Sequence, residues 1–406
     1  MTRPRRTVVH LTTYLQGGAG RAITDLACAQ HRAGDDVLVM ASATGRGDAD
    51  NYPEYLDRLA AAGVTVVLEE SLFVREAALG DRALARLHRA RRPDAVDVVH
   101  AHAATPARIG LRFAEARGGR PVVIQTQHGW GTRKTAAQAR DDLATLDAVD
   151  HVVTTSRATG GWLVSQGLDP TRLSVIPCGL AEVSAGPMPA DAAACLAAHR
   201  ANGPRLAACI GSVTANKNQT LLVDALADPR TAGWAGVVIG EGGDALRPRA
   251  DALGVAARLA LAGYQAGAAR WLAGVDLLVV PSLSEGQGLV VLEAFRAGVP
   301  VVASRIPALE ELVVEGETGW LFDPTDARDL VRALVAAGTA LPPVRARTVA
   351  AARDVFMRDY RFETTLARHE ALYARLAGPG AAARMPGAGA GHPVWRPAGR
   401  ADHTPG

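Results

Sequence analysis

The sequence predicts an α/β protein built from two Rossmann-like, doubly wound parallel-sheet domains facing a cleft. Three observations point there. Short β-branched runs alternate with alanine-rich stretches of helical composition along most of the chain, the pattern of repeated strand–helix units. That rhythm breaks once, over 181–204, where Gly186-Pro187-Met188-Pro189 and Asn202-Gly203-Pro204 flank one short helix. Finally, 406 residues exceed what a single hydrophobic core organises.

In the first domain, 1–180, the runs Thr7–Thr13, Asp36–Ser42, Val64–Glu70, Val96–His102, Pro121–His128, His151–Ser156 and Leu173–Pro177 read as strands. Beyond the linker 181–204, a second domain over 205–343 contains Leu206–Ser212, Gly236–Gly240, Arg258–Gly263, Asp276–Ser282 and Val299–Ser304. Helical sequence follows over 344–377. From 378 to 406 the chain is Gly, Ala, Pro and Arg without an apolar period, a composition expected to stay disordered.

Composition narrows the function classes. No apolar run approaches the ~20 residues that span a bilayer, and the basic start leads into a strand and a glycine loop rather than a cleavage site, so a cytoplasmic protein is expected. Cys28, Cys178, Cys195 and Cys209 are too widely spaced for a zinc motif or a disulfide framework. A net charge of +3 gives no sign of a nucleic-acid partner. The arginines of Leu72–Arg92 are consistent either with a solvated helix or with peripheral contact to an anionic membrane or acceptor.

Two segments suggest chemistry. Gln16-Gly17-Gly18-Ala19-Gly20-Arg21 joins the first strand to an amphipathic helix, so its amides and the helix dipole can face an anion; a ligand-free turn is the alternative. It matches neither the dinucleotide nor the nucleoside-triphosphate glycine pattern, which argues against an oxidoreductase. In Pro281–Ala294, Glu285 sits in a glycine-flanked loop after a strand and Glu293 lies eight residues on, in a helix starting near Gly288. That spacing can send two carboxylates to one ligand, sugar hydroxyls at Glu285 and ribose hydroxyls at Glu293. Alternatively, Glu285 caps the helix and Glu293 is solvated.

The Pro281–Ala294 segment resembles the Glu-x7-Glu motif of the retaining family 4 glycosyltransferases, which have the GT-B fold. Further matches fall in the family's order: Gly17–Gly20, Val98–His102, Thr126–Gly129, Ser156, Val175–Gly179, Gly211 through Asn218, Gly240–Gly242, Gly263, Gly298–Val302 and Glu311 through Gly319. The likeness covers about residues 7–340 and implies that helices 344–377 return toward the first domain.

The resemblance implies transfer from a nucleotide-diphosphate sugar, UDP- or GDP-linked, to the hydroxyl of a glycan, lipid-linked sugar or small molecule. Retention of configuration and no metal or other cofactor are implied as well. Glu285, His128 and Lys217 are its catalytic candidates. Gly17, Gly18, Gly211, Ser212, Lys217, Gly286, Gln287, Gly288, Leu289 and Glu293 are its donor-binding candidates, with the diphosphate between Lys217, the Gly17–Gly20 loop and the amides of 286–289. His102 is a weaker candidate than His128, and His10 and His100 are expected along the sheet. Three positions depart from the family pattern: Ser212 replaces a common arginine, Gln287 a frequent aromatic, and Cys178-Gly179-Leu180 the usual Asn-Gly-Asp. A hydrolysing epimerase of the same fold and an inactive nucleotide-sugar-binding protein are the competing readings.

Overall fold

A computed structural model describes residues 5–45, 49–70, 77–115, 121–131, 134–181, 187–201 and 205–377. The expected disordered tail and the breakers at 186 and 202–204 lie outside them.

Strands β1 (Thr7–Leu11), β2 (Asp36–Ala41), β3 (Thr65–Leu68), β4 (Val98–Ala101), β5 (Val122–Gln127), β6 (His151–Thr154) and β7 (Leu173–Val175) form one sheet in the order β3-β2-β1-β4-β5-β6-β7. A second sheet contains β8 (Arg205–Ile210), β9 (Trp234–Ile239), β10 (Leu259–Gly263), β11 (Leu277–Val280), β12 (Val301–Ser304) and β13 (Trp320–Phe322), in the order β10-β9-β8-β11-β12-β13. Neighbours such as β1–β4 and β8–β11 run parallel. These are the two Rossmann-like parallel-sheet α/β domains of a GT-B fold.

All twelve expected strands are present, each within a few residues of its expected bounds. β13 was not anticipated, because Trp-Leu-Phe is three residues long, lacks β-branched alternation and pairs only through its register with Val302–Ser304.

By contacts the chain divides into two units. The first runs through Thr126, includes Ala136–Val152 and resumes at Glu370; the second comprises Gln127–Thr135 and Val153–His369. Residues 187–201 of the expected linker therefore belong to the second unit, where Ala190–Arg200 is helical. Within the first unit, Leu15, Ile23, Val37, Val39 and Leu59 pack in one cluster, and Tyr373 is fully buried. In the second, β-sheet residues such as Leu278 and Val301 pack one face against Phe295 and Phe356, while Val302 and Phe322 pack the other against Leu330 and Leu334. Continuous apolar strands covered on both faces are what a parallel sheet requires.

The C-terminal helices are Pro342–Asp359 and Phe362–Ala377. Within the second unit, Leu180 bridges Arg361, and Thr365 Oγ1 accepts from the Gly179 amide and donates to the Pro177 carbonyl. Within the first, Tyr373 Oη lies 2.6 Å from His100 Nδ1 and Glu370 pairs with Arg6. Among the described residues no helix is long and apolar enough to cross a membrane.

Phe322 is fully buried at the end of β13. Phe322→Ala is expected to cost about 3–5 kcal/mol through lost transfer energy and the cavity left behind. A urea midpoint unchanged from the parent would show that β13 is not integral to the second core.

Candidate functional site

In each sheet the strand order reverses beside the first strand, between β1 and β4 and between β8 and β11. Such switch points leave a crevice at the carboxyl ends of the strands, where ligands bind in open α/β sheets. The loops leaving β8 and β11 hold most of the residues singled out by the sequence.

These two loops are bonded together. Asn216 Nδ2 donates to the Ser284 carbonyl at 2.9 Å, the Leu283 amide donates to the Asn216 carbonyl at 2.8 Å, and Lys217 Nζ donates to Glu285 Oε1 at 2.6 Å. Ser282 Oγ donates to the same oxygen, also at 2.6 Å. Glu285 thus holds the Lys217 ammonium in place at the mouth of the joined loops. Gly211 opens the first loop with its amide on the Ile239 carbonyl, and the Ser212 and Gly211 carbonyls both accept from Gln219 Nε2 at 3.1 Å.

Gly286 is packed against the turn after β5. A β-carbon there would lie 1.6 Å from the His128 carbonyl oxygen, so only glycine fits. Thr155 Oγ1 donates to the Gly286 carbonyl at 3.2 Å. The backbone at His128 and the Glu285–Gly286 loop are therefore brought together.

The helix Leu289–Ala297 has Gly288 as its N-cap, at φ +90°, where a β-carbon would strike Leu309 at 2.6 Å. Glu285 does not cap this helix. Leu289 opens it, and Glu293 sits one turn further, half-buried. The side chain of Gln287, by contrast, is engaged within the protein. It is buried, with Oε1 accepting from the Cys178 amide at 2.8 Å and Nε2 donating to the Cys178 carbonyl at 3.0 Å. Both ends of the amide are committed to main chain.

In the first unit, Gly17 and Gly18 form the first turn of the helix Gly17–Arg32, and Gln16 supplies no side-chain cap. Gly17 has φ +54°, its carbonyl accepts from Tyr55 Oη, and Gly18 is exposed. Arg21 pairs with Asp25 at 3.6 Å. In the same unit His10, His100 and His102 are buried, with ring nitrogens within 4.8 Å of one another, spacing compatible with a metal. Hydrogen bonds already engage them. His10 Nδ1 lies 3.0 Å from His102 Nε2 and His10 Nε2 lies 2.7 Å from Gln30 Oε1, while His100 is 2.6 Å from both Tyr373 Oη and Thr126 Oγ1.

Sequence reasoning missed an aromatic pair in the second unit, its ring planes tilted by 48°. Trp130 and Trp162 lie 4.6 Å apart by ring centroids, and Lys134 Nζ stands 3.5 Å from the Trp130 centroid. Thirty-two residues separate the tryptophans, and no local pattern links them.

Burial, with repulsion from His369 second, lowers the His128 pKa to about 4. Burial likewise lowers His369 to about 4, against the opposing effect of its bond to the Thr365 carbonyl. At neutral pH both rings are uncharged. Between about 4 and the ordinary 6.5 the unfolded chain binds protons that the folded chain refuses, so stability is full above pH 6.5 and falls on acidification toward 4. At about 1.4 kcal/mol per pKa unit, the loss is on the order of 3 kcal/mol per ring. His369→Asn is expected to flatten the fall in urea midpoint between pH 7 and 4.5; an unchanged slope would contradict the assignment.

Comparison with known proteins agrees with this geometry. Residues 16–181 match the Glycosyltransferase Family 4 profile and residues 204–338 match the Glycosyl transferases group 1 profile. A D-inositol 3-phosphate glycosyltransferase of Kribbella flavida is 31% identical over 290 residues, covering 64% of this chain and 66% of that protein. Another, from Mycobacterium sp. (strain KMS), is 30% identical over 352 residues, 79% of each. The crystal structure of Anabaena HepE in complex with UDP and glucose is similar in fold, with a TM-score of 0.76 at 18% identity, covering 92% of this chain and 100% of that one. With both halves of the chain matched in order and a glycine-bound carboxylate loop at the second sheet's switch point, the chain belongs to the family 4 glycosyltransferases.

Proposed function

We propose that the protein transfers a glycosyl group from a nucleotide-diphosphate sugar to an acceptor hydroxyl, with retention and without a metal ion. The observation that carries this reading is the joined loop pair at the β8/β11 switch point, where Glu285 fixes the Lys217 ammonium beside the glycine loop 286–288. In this reading the bond between the sugar's anomeric carbon and the diphosphate oxygen breaks while the acceptor oxygen bonds that carbon on the same face. The acceptor proton passes to a donor phosphate oxygen. Charge then builds on the leaving diphosphate, and Lys217 with the amides around Gly288 and Leu289 stabilises it, a preorganised contribution of roughly several kcal/mol.

Neutral His128 suits a hydrogen bond to the donor sugar rather than a second cation. Glu293, one turn into its helix, suits the ribose hydroxyls. The activity for which these relatives are named makes a phosphorylated polyol a first acceptor to test. We place the protein in the cytoplasm. Arg82, Arg86 and Arg89, exposed on the helix Ala77–Ala90 while Ala83 and Leu87 are buried, support peripheral contact with an anionic surface.

Three outcomes test the reading. Incubation with UDP- and GDP-sugars and a phosphorylated polyol should give a product whose anomeric proton coupling matches the donor's; inversion would refute retention. Activity should survive excess chelator, and its loss with restoration by magnesium or manganese would refute metal independence. Glu293→Gln should chiefly raise the donor KM, whereas Glu285→Gln, which releases Lys217, should chiefly lower kcat. Each lost charged hydrogen bond costs roughly 1.5–3 kcal/mol, about one to two orders of magnitude. Folded variants with the reverse pattern would reject the assigned roles.

A further inference from the structure

Two chain segments touch Gly286, and each leads into a tryptophan. One is His128-Gly129, which runs directly into Trp130. The other is Thr155, whose hydroxyl holds the Gly286 carbonyl and which leads through Ser156 into the helix Arg157–Ser165. That helix start is fixed three ways: Ser156 Oγ accepts from the Thr159 amide, and the Glu311 carboxylate accepts from the Arg157 and Ala158 amides at 3.0 and 2.6 Å. Five residues along, roughly 8 Å by helical rise, stands Trp162. The two indoles that leave Gly286 by separate routes meet again as the tilted pair, ring centroids 4.6 Å apart and planes at 48°.

This pair is unlike the other described tryptophans. Trp234, Trp271 and Trp320 are buried at 3%, 3% and 6% exposure, whereas Trp162 exposes 37% of its surface and Trp130 is half-buried. Indole left at a surface loses the burial that makes it stabilising, unless a ligand covers it. The cation beside it is also distinctive. Of the 44 basic side chains of Lys and Arg, only two are lysines, Lys217 in the carboxylate loop and Lys134 over Trp130. Everywhere else the chain uses arginine, so a compact ammonium occurs only at the site and at its aromatic neighbour.

We propose that Trp130 and Trp162 form the platform on which the acceptor's six-membered polyol ring stacks, with Lys134 facing an anionic substituent of that ring. The inference rests on the transfer reading above and specifies its acceptor. The C–H groups on one face of a sugar or cyclitol ring form an apolar patch that packs on an indole, while its hydroxyls stay free at the edge for reaction. Lys134, held at the platform by its cation–π contact, adds selection for a phosphate or carboxylate over a neutral ring.

The test follows the indole N–H resonances of the full-length protein, labelled at tryptophan and saturated with UDP or GDP. The probes are D-inositol 3-phosphate and glucose 6-phosphate, with myo-inositol and glucose as neutral counterparts. Resonances of Trp130 and Trp162, assigned by their loss in Trp130→Phe and Trp162→Phe, should shift with at least one charged probe. Trp162→Ala should raise that probe's Kd about tenfold or more and Trp162→Phe less than about threefold, and Lys134→Gln should bring charged and neutral probes within about threefold. The proposal is overturned if neither indole shifts with any probe, or if Trp162→Ala keeps the parent Kd. A nucleotide-dependent rise in melting temperature of the parent tests the donor reading separately. Its absence, together with no transfer, sinks that reading, whereas nucleotide binding with unmoved indoles sinks the platform alone.

Discussion

The second unit's site depends on one close approach, that of the Gly286 backbone to the His128 carbonyl. Because no side chain fits at 286, three stretches distant in sequence can meet there: the turn after β5, the segment after β6 and the loop after β11. The residues flanking that contact then face in directions the backbone has fixed. Glu285, immediately before it, reaches Lys217 and Ser282, while Gln287, immediately after it, turns inward to the main chain of Cys178. A loop with such restricted freedom holds its donors in place before a ligand arrives, which is the condition for electrostatic stabilisation without reorganisation.

Electrostatics at the same contact are set by burial rather than by added charge. His128 and His369 are held neutral, so the Lys217–Glu285 pair is the local source of formal charge between the joined loops. The first unit uses its buried imidazoles in a comparable way, satisfying His10 and His100 through Gln30, Thr126 and Tyr373 in an otherwise apolar layer. Buried polar groups arranged in mutually bonded sets specify one packing because a partly bonded alternative is costly.

Much of this fold was legible because its signals are local. Apolar β-branched runs marked twelve strands, and the two glycine-rich loops announced themselves by position after a strand. β13 escaped because Trp-Leu-Phe combines a length too short for a period with the lack of any β-branched residue. Within the site, the family likeness marked His128 and the 285–288 loop as candidates, but not the bonds that individual side chains make. Lys217 and Glu285 are 68 residues apart, and Gln287 and Cys178 are 109 apart; pairing across such distances is set by which loops the sheet order makes adjacent. Trp130 and Trp162 were silent for the same reason, since each looks like an ordinary loop or helix residue until the backbone around Gly286 is known.

The Gln287 clamp has a consequence for how this chain can change over evolutionary time. Its amide bonds only the N–H and C=O of residue 178 and takes no account of the side chain there. Position 178 can therefore drift among small residues while the clamp persists, and the two positions would leave little covariation to find in a set of descendants. An aromatic at 287 would be another matter. It would strip both main-chain groups of their partners in a buried place, so that step is open only to lineages that first re-route the backbone at Cys178-Gly179. A single residue thus ties the choice at 287 to the backbone path at 178, through contacts that a comparison of side chains would not reveal.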